Sequence, residues 1–503
     1  MKHRYYWVIS LLLLGMIAGC SGSTTVGGTG DGGNTANEAA ETDPLAIYAE
    51  NLISTEQESL TDFKTATRYA LDITLVDPYE VIEGQETITY YNNEDVQLNE
   101  IYLRMFPNNG GDLMQVSSLK VAGVETAFAV EFNNTAVRVD LPTALQPGEN
   151  VDLDLTYSVQ VPTDFGGNYG LFSYMEGILA LDQIYLIIPI YDDEGWNVEV
   201  PPTNGDMIYA DVAFFTATIT APSDLVIASS GVTVDEKEDG DTTIHTIVAG
   251  PERDFYMAAS TEFEVSTQMV GETLVSSYYL PEYPGGGDFV LRTAVEAVQT
   301  FNKYFGTYPY TELDLVGTPM QAGGMEYSGI VALGLQYYDP QAKFSGMSAF
   351  NLLEFGTAHE VAHEWFFNLV MSDQIDEPWI DEGMAQYLTA LYFEDNDGPT
   401  AAYNYRSSWN YRWERVEYQA IPIGLPVREY DTDSYGAIIY GRAPLFIHDL
   451  REKMGDEVFF GFLKTLFMEN KWDVLTTEEF RTAAEQACDC DLQWEFNNWV
   501  YQR

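Results

Sequence analysis

Apolar and polar residues alternate along short runs through the first half of the chain. The alternation is clear in residues 69–75, 86–91, 151–157, 213–219 and 243–248. Side chains that alternate in this way lie on the two faces of a β-strand. Clusters of Asn, Asp, Gly and Pro, as at 107–111 and 147–150, separate the runs and are typical of turns. The pattern predicts an antiparallel β-rich domain over residues 46–268.

The pattern changes to a helical period in the second half of the chain. Apolar residues recur three and four positions apart in residues 289–305, 350–370, 379–393, 443–454 and 457–466. This spacing places them on one face of an α-helix. The two halves together predict an α+β multidomain fold, in which a mainly helical domain over residues 269–503 follows the β-rich domain.

The composition adds a strong charge imbalance to this picture. The 503 residues are 46% hydrophobic, which is enough to form cores, but Asp+Glu number 78 against 23 Lys+Arg, a net charge of −55. Such a surface repels a phosphate backbone, so a nucleic acid is excluded as a partner. A solvated acidic surface keeps a protein soluble. Attraction of cationic peptides or divalent ions is the alternative interpretation.

The first 19 residues predict a lipoprotein signal peptide. A basic start at Lys2–Arg4 is followed by an apolar stretch over 5–18, which is too short to span a bilayer and is typical of a signal-peptide core. The stretch ends in the letters IAGC at residues 17–20, which resemble a bacterial lipobox. We therefore expect a lipid on Cys20, attachment to the membrane through it, and a location in the bacterial cell envelope, outside the cytoplasmic membrane.

Residues 20–45 are rich in Gly, Thr, Ser, Asn and Ala. A segment of this composition lacks the bulky apolar side chains that a core needs, and we interpret it as a flexible tether. Cys488 and Cys490 are the remaining cysteines. A local disulfide, a metal site and two free thiols all remain open for this pair.

Two histidines stand four positions apart in the apolar run 350–370. The letters HEVAH give His359, Glu360 and His363, and residues at i and i+4 lie on one face of a helix. Both imidazoles can then bind one ion, with Glu360 placed to act on a water molecule at that ion. Two solvated histidines on an amphipathic helix are the alternative.

A third ligand is expected on the next helix. The run 379–393 follows Pro378, and proline is tolerated in the first turn of a helix. Glu382 lies 19 positions after His363, and the 18 residues between them are enough chain to end one helix, turn, and bring a second helix alongside. Two imidazoles and a carboxylate are typical ligands of a catalytic zinc. We predict one Zn²⁺ per chain, bound by His359, His363 and Glu382.

HExxH, 18 residues and then Glu resembles the gluzincin metallopeptidases of the aminopeptidase N type. Further motifs are similar: GGMEY at 323–327 resembles the family's GxMEN, WIDEGMA at 379–385 resembles WLxEGxA, and YGRA at 440–443 resembles YxKG. The similarity covers about residues 60–500. It implies a thermolysin-like zinc peptidase domain over 269–503, and an aminopeptidase that removes N-terminal residues from peptides outside the cell.

The resemblance implies a catalytic role for each matching residue. His359, His363 and Glu382 would bind the zinc. Glu360 would be the general base that takes a proton from the attacking water and delivers it to the leaving amine. Tyr440 would donate a hydrogen bond to the developing oxyanion.

The substrate-binding residues are implied in the same way. Glu326 would hold the free α-amine of the peptide through a charge-assisted contact. Gly323, Gly324 and Met325 would flank the peptide, with the glycines allowing close approach of the backbone.

The sequence departs from the family pattern at several positions. Tyr327 stands where the motif has Asn, and the second amine-binding residue of the β domain could be Asp182, Gln183 or Glu176. The chain ends at Arg503, whereas typical members continue into further domains, so we expect a more open cleft. An endopeptidase on the same site and a catalytically inactive surface peptide-binding protein remain as alternatives.

Overall fold

The computed structural model describes residues 43–200, 204–205 and 207–501. The described residues from Pro44 onward form one compact unit. The predicted signal peptide, Cys20 and nearly all of the predicted tether lie outside the described residues. Within the described ranges, no helix combines the length and the apolar character needed to cross a membrane.

The first part of the chain is built from β-strands, as the alternating runs predict. The strands are, in chain order, β1 (Thr67–Thr74), β2 (Val81–Tyr91), β3 (Leu98–Arg104), β4 (Met114–Val121), β5 (Val124–Glu125), β6 (Phe128–Glu131), β7 (Ala136–Leu145), β8 (Asn150–Gln160), β9 (Phe172–Met175), β10 (Ile178–Leu181), β11 (Tyr191–Asp192), β12 (Gly195–Trp196), β13 (Ala213–Pro222), β14 (Val226–Ser229), β15 (Val232–Asp239), β16 (Thr242–Glu252) and β17 (Met257–Ser260).

These strands form a large sheet with smaller sheets packed against it. The large sheet has the order β15-β16-β13-β1-β2-β8-β4-β5, and the smaller sheets have the orders β14-β17-β10-β9 and β3-β7-β6. Ile82 and Ile88 of β2 are fully buried while Glu83 between them is exposed, which is the alternation read from the sequence. The pairing is antiparallel except between β1 and β13, which run parallel with Thr67 opposite Ala213.

The second part of the chain combines a mixed sheet with helices. Its strands are β18 (Glu264–Val270), β19 (Thr273–Tyr279), β20 (Glu312–Thr318), β21 (Gly324–Tyr327), β22 (Ile330–Gly334), β23 (Lys343–Phe344), β24 (Met347–Ser348), β25 (Val370–Met371) and β26 (Asp473–Val474). Its helices are α1 (Pro284–Tyr304), α2 (Ala349–His363), α3 (Pro378–Asn396), α4 (Pro399–Glu414), α5 (Thr432–Ala437), a π-helix (Ile438–Arg442), α6 (Ala443–Met454), α7 (Asp456–Asn470), α8 (Thr477–Cys488) and α9 (Gln493–Trp499).

The β-rich part followed by a helical part confirms the predicted α+β fold class. The helical part also contains a sheet of order β18-β19-β20-β22-β21. The helical spacing of apolar residues in this half of the sequence did not indicate a sheet. The chain passes from the sheets of the first part to this sheet between Ser260 and Glu264, a few residues before the expected boundary at 268. Strand β21 forms the edge of the sheet that faces α2, so it carries the GGMEY segment toward the two histidines.

Helix α2 ends at His363, although its apolar pattern runs on to Val370. The backbone turns there, because the amide of Asn368 donates to the carbonyl of His363 at 3.0 Å. Val370 and Met371 then pair with Asp473 and its neighbour in β26. These residues are apolar because they form a buried strand, and period alone does not separate a buried strand from a continued helix.

Helix α3 is buried over most of its length and packs against α1, α2, α4 and α6. Gly383 makes the contact with α6 possible, since a Cβ at this position would lie 2.9 Å from the Cβ of Ala443. The close packing fixes the position and rotation of α3. It therefore fixes where Glu382, the next residue back along the chain, points.

Arg253 joins the β-rich part to the helical part. Its buried guanidinium donates to the carbonyls of Asn368, Ala210 and Asp473, at 3.1, 3.3 and 2.9 Å. One side chain thus ties the segment after β16 to the turn that follows α2. This holds the β-rich part against the end of the helix that carries the two histidines.

Candidate active site

His359, His363 and Glu382 meet at one point between α2 and α3. The Nε2 atoms of the two histidines are 3.3 Å apart, and Oε2 of Glu382 lies 3.1 Å from His359 Nε2 and 3.7 Å from His363 Nε2. All three residues are buried. The four-residue spacing on α2 and the fixed rotation of α3 are sufficient to bring these atoms together.

The geometry of these three atoms fits zinc. A tetrahedral zinc with bonds of ~2.0–2.1 Å separates its ligand atoms by roughly 3.3 Å, close to the observed spacing. Two imidazole nitrogens and a carboxylate oxygen are also a donor set that catalytic zinc takes. His359, His363 and Glu382 are therefore the residues that would hold the ion.

The electrostatics of the pocket also favour a cation. Burial by itself lowers the pKa of His363, but the carboxylates of Glu326 and Asp381 outweigh it and raise that pKa well above its usual value. Burial raises the pKa of Glu382, while hydrogen bonds from His359 and His363 bring that pKa below its usual range. Positive charge is thus stabilised at the centre of the site although the site is buried.

Asp381 and Gln374 orient the second histidine. Nδ1 of His363 donates to Asp381 Oδ1 at 2.7 Å, and Nε2 of Gln374 donates to the other oxygen of Asp381 at 2.7 Å. A hydrogen bond at Nδ1 sets the tautomer that leaves Nε2 free to bind a metal. Gln374 gave no signal in the sequence, because nothing in its local pattern distinguishes it.

Gln386 and Tyr405 lie behind the first histidine. The Gln386 amide is 3.4 Å from Nδ1 of His359, and its Oε1 accepts a hydrogen bond from the Tyr405 hydroxyl at 2.8 Å. Gln386 stands four positions after Glu382, so it lies on the same face of α3 as that ligand. This spacing is the signal from which it could have been predicted.

Glu360 lies beside the metal ligands with its carboxylate against strand β21. A Cβ at Gly324 would lie 2.5 Å from Cγ of Glu360, so the glycine leaves the space that the Glu360 side chain occupies. Burial raises the pKa of Glu360. Gly324 therefore positions the predicted base, in addition to the predicted role beside a peptide. A Cβ at Gly323, by contrast, would meet open space.

Glu326 also reaches this centre. Its carboxylate, the carboxylate of Glu360 and a ring nitrogen of His363 all lie within 4.8 Å of one another. Oε1 of Glu326 accepts from Gln374 Nε2 at 3.3 Å, and Oε1 of Gln374 accepts from the amide of Ile208 at 3.1 Å. Gln374 thus links the predicted amine-binding carboxylate to Asp381 and to the β-rich part.

Tyr440 lies in the π-helix, with its hydroxyl donating to Oε1 of Glu382. Such short π-helical insertions often occur at functional sites. Arg442 anchors this insertion, because its guanidinium donates to the carbonyls of Trp499 and Asn498, each at 2.7 Å, and lies over the Trp499 ring. The last helix of the described chain therefore holds Tyr440 beside the metal ligands.

Tyr327 and the candidates for a second amine contact complete the set of residues that the sequence singled out. Tyr327 is buried and stacks on Tyr256, with ring centroids 4.1 Å apart, so it faces the core. Of the candidates for a second amine contact, Glu176 is exposed, Asp182 lies beside Tyr327 with its pKa raised by burial to about 7, and Gln183 is fully buried. Within the described residues, neither amide atom of Gln183 has a hydrogen-bond partner.

Two further features concern Glu364 and the two late cysteines. Oε2 of Glu364 accepts from the Tyr308 hydroxyl at 2.6 Å and from Asn368 Nδ2 at 2.9 Å. It thus supports the end of α2 and does not contact the predicted ligands. Cys488 and Cys490 form a disulfide with a Cα–Cα distance of 5.1 Å. Of the three states left open by the sequence, the local disulfide is therefore the one observed.

Comparisons with known proteins agree with the fold. Residues 289–499 match the peptidase family M1 domain. The chain is 25% identical over 309 residues to aminopeptidase M1-A of Oryza sativa subsp. japonica, and this match covers 58% of the chain and 34% of that relative. It is 25% identical over 380 residues to aminopeptidase N of Rattus norvegicus, covering 67% of the chain and 37% of that relative. The chain thus spans about a third of the length of these curated relatives.

Solved structures of similar fold cover more of the chain. The M1 zinc metallopeptidase from Deinococcus radiodurans aligns with a TM-score of 0.62 at 20% identity, over 87% of this chain and 94% of that chain. A mutant of the same enzyme, bound to a Tyr-Ser-Ala substrate, aligns with a TM-score of 0.65 at 20% identity, over 88% and 95% of the two chains. At this identity the likeness shows a shared fold and nothing further.

The two-part fold and the donor set of two histidines and a glutamate are those of the zinc metallopeptidases. Within that class, residues 289–499 match the peptidase family M1 domain. A domain of this family implies Zn²⁺ as the cofactor, in agreement with the fit of His359, His363 and Glu382.

Proposed function

We propose that this protein is a zinc-dependent aminopeptidase that removes N-terminal residues from peptides. The observation that carries the proposal is the position of Glu326, whose carboxylate lies within 4.8 Å of both the Glu360 carboxylate and a His363 ring nitrogen. A carboxylate at this distance from the reacting centre can hold a free α-amine when the first peptide bond lies at the base. An internal peptide bond offers no ammonium group for that contact.

The chemistry of hydrolysis is divided among the residues of the site. When bound, zinc polarises the scissile carbonyl and makes a water molecule acidic near neutral pH. Glu360 takes one proton from the attacking water, and the oxygen of that water forms the new C–O bond. Glu360 then delivers the proton to the leaving nitrogen as the C–N bond breaks. The products are a free amino acid and a shortened peptide.

Tyr440 and Gln183 are proposed to contact the substrate. The Tyr440 hydroxyl lies next to the Glu382 carboxylate and would donate instead to the oxyanion that develops on the carbonyl. Gln183 is the second proposed contact for the α-amine. In the described chain it is a fully buried amide without a hydrogen-bond partner, and leaving such a group unsatisfied is costly.

We expect Glu326→Gln to lower kcat/KM for peptides with a free N-terminus by about 10- to 100-fold. The substitution keeps the shape of the side chain but removes the charge, and charged hydrogen bonds contribute more than neutral ones. The measurement is the initial rate on one peptide at several concentrations, for the native protein and the variant at equal zinc content.

The same experiment includes a peptide with an acetylated N-terminus, which lacks the ammonium group. The proposal predicts that the native protein cleaves this peptide far more slowly than the free one. If the acetylated peptide is cut internally at the same rate, and Glu326→Gln changes neither rate, the site belongs to an endopeptidase. If purified protein with zinc cuts neither peptide, a peptide-binding role replaces the enzymatic one.

We further propose that the protein is lipidated on Cys20 and lies in a bacterial cell envelope, outside the cytoplasmic membrane. The basic start, the apolar stretch over 5–18 and the lipobox-like residues 17–20 support this. The disulfide between Cys488 and Cys490 is also of a kind that persists in oxidising compartments.

Metabolic labelling with a radioactive fatty acid tests the anchor in bacterial cells that produce the full chain. The native protein should carry the label and sediment with membranes, whereas Cys20→Ala should lose the label and appear in the soluble fraction. Equal labelling of the two proteins would refute lipidation at this residue.

A further inference from the structure

A small cavity lies beside Arg104, at the end of β3. The space open to the centre of a water-sized sphere is about 10 Å³, which is room for one water molecule or one small ion. Most of its lining is apolar: Phe106, Ile187, Pro189, Met207, Ile208, Ala210 and Ile375, with Asn197 and Tyr209 completing it. The cavity is thus a small and mostly apolar chamber with one cationic side chain in its wall.

The guanidinium of Arg104 is poorly satisfied by the protein. The residue is only 3% exposed, and its Nη1 makes one long hydrogen bond, of 3.4 Å, to the carbonyl of Asn197. The group also lies over the ring of Phe106, 5.3 Å from its centroid. Within the described residues, Nε and Nη2 are buried and have no acceptor.

The positive charge of Arg104 also has no close counter-charge. No carboxylate of the described chain forms an ion pair with it, and Glu199 attracts it from a greater distance. Burial lowers the pKa of Arg104 to about 10, so the guanidinium still carries its charge at neutral pH. A buried charge without a partner is strongly unfavourable, and a single acceptor anion removes this cost.

We propose that the cavity beside Arg104 binds one monatomic halide ion, which is chloride under natural conditions. The size of the cavity excludes phosphate, sulfate and most carboxylates. A halide supplies both the negative charge and the acceptor that Nε and Nη2 lack, whereas a water molecule supplies the acceptor alone.

The site is connected to the active site through Gln374. Ile208, in the cavity wall, donates its backbone amide to Oε1 of Gln374, whose Nε2 donates to Glu326 and Asp381. A halide that holds the cavity wall in place therefore supports the carboxylate proposed to bind the α-amine. This consequence for catalysis rests on the proposed function, but binding of the halide does not.

Bromide diffraction and thermal unfolding test binding without any assay of activity. Crystals of the full chain grown without halide and soaked in sodium bromide should show an anomalous peak in contact with the Arg104 guanidinium. In solution, chloride or bromide should raise the melting temperature by about 2 °C relative to sodium gluconate at equal ionic strength. Gluconate is too large for the cavity and so controls for screening.

Two variants distinguish the halide from other sources of stabilisation. Arg104→Met keeps an unbranched side chain but removes the guanidinium, and it should remove both the bromide peak and the halide-dependent part of the melting temperature. Glu199→Gln removes the carboxylate that attracts Arg104 from a distance and should leave both intact. A soaked crystal with no peak at Arg104, or an equal halide effect in native protein and Arg104→Met, would overturn the proposal. Strong destabilisation by Glu199→Gln without any halide effect would identify Glu199 as the counter-charge instead.

Halide effects on catalysis separate the two proposals. With halide in place of gluconate, the native protein should show a lower KM for free peptides, and Arg104→Met should show no change. If no peptide is cleaved under any condition, the bromide peak and the melting temperatures still decide the halide site.

Discussion

Glu360→Gln is expected to lower kcat by at least about 10³-fold while the zinc stays bound. A glutamine fills the same space beside Gly324 but cannot accept a proton from water, and general acid–base catalysis alone contributes 10²–10⁴-fold. Glu360 contributes none of the three ligand atoms that meet between α2 and α3. The variant should therefore still bind zinc. The measurement is kcat on a free peptide, together with zinc per chain by mass spectrometry.

Glu364→Gln is the matched control for this variant. Glu364 lies one turn further along, at the end of α2, and is also buried, but its carboxylate accepts hydrogen bonds from Tyr308 and Asn368. A glutamine can keep one of these hydrogen bonds, so activity should stay within several-fold of the native value. Equal losses in the two variants would show that the fold of α2 was damaged. Near-native activity in Glu360→Gln would show that Glu360 is not the general base.

His363→Ala is expected to abolish both zinc binding and cleavage. The variant deletes one of the three predicted ligands and leaves the carboxylates of Glu382 and Asp381 facing an empty space. Dialysis against limited zinc, followed by metal analysis, should give close to one zinc per native chain and almost none for the variant. A chelator should abolish activity of the native protein, and added Zn²⁺ should restore it.

A milder variant and a control histidine variant accompany His363→Ala. Asp381→Asn keeps the ligands but weakens the hydrogen bond at Nδ1 of His363, and we expect zinc affinity to fall by about 10- to 100-fold. His448→Ala removes a half-buried histidine on α6 whose neighbour is Glu452 at 3.8 Å, and zinc binding should not change. Full zinc occupancy in His363→Ala would disprove the assigned ligand set.

The sequence predicted most of the metal site because local geometry determines it. His359 and His363 are four positions apart, about one helical turn, so a helix is sufficient to align the two rings. Helix α6 agrees with its predicted bounds at both ends, since Gly455 stops it at a positive φ of 77° that favours glycine. Features set by one helix and its ends are the ones that a sequence pattern carries.

The supporting residues could not be predicted, because tertiary packing brings them in. Gln374 lies in a loop, yet it contacts Glu326, Asp381 and Ile208, which are distant from one another in the sequence. Helix α4 was not predicted either, because its inward face uses Ala402, Tyr405 and Trp409 among many polar residues. Neither feature gives a periodic apolar signal.

The β18–β22 sheet was missed for a related reason. Its central strands are short and buried on both faces, as in β22, where Ile330, Val331 and Leu333 are all fully buried. Buried parallel strands do not alternate apolar and polar residues. A period-2 pattern therefore detects the half-exposed strands of the first part and not these.

The most direct test of the account is the identity of the products released from a single peptide with a free N-terminus. The full chain, loaded with zinc, is incubated with the peptide, and the products are followed by mass over time with and without a chelator. The account predicts sequential loss of single N-terminal residues, abolished by the chelator and restored by Zn²⁺. Internal fragments as the first products would contradict the role of Glu326, and cleavage that persists without metal would contradict the zinc site itself.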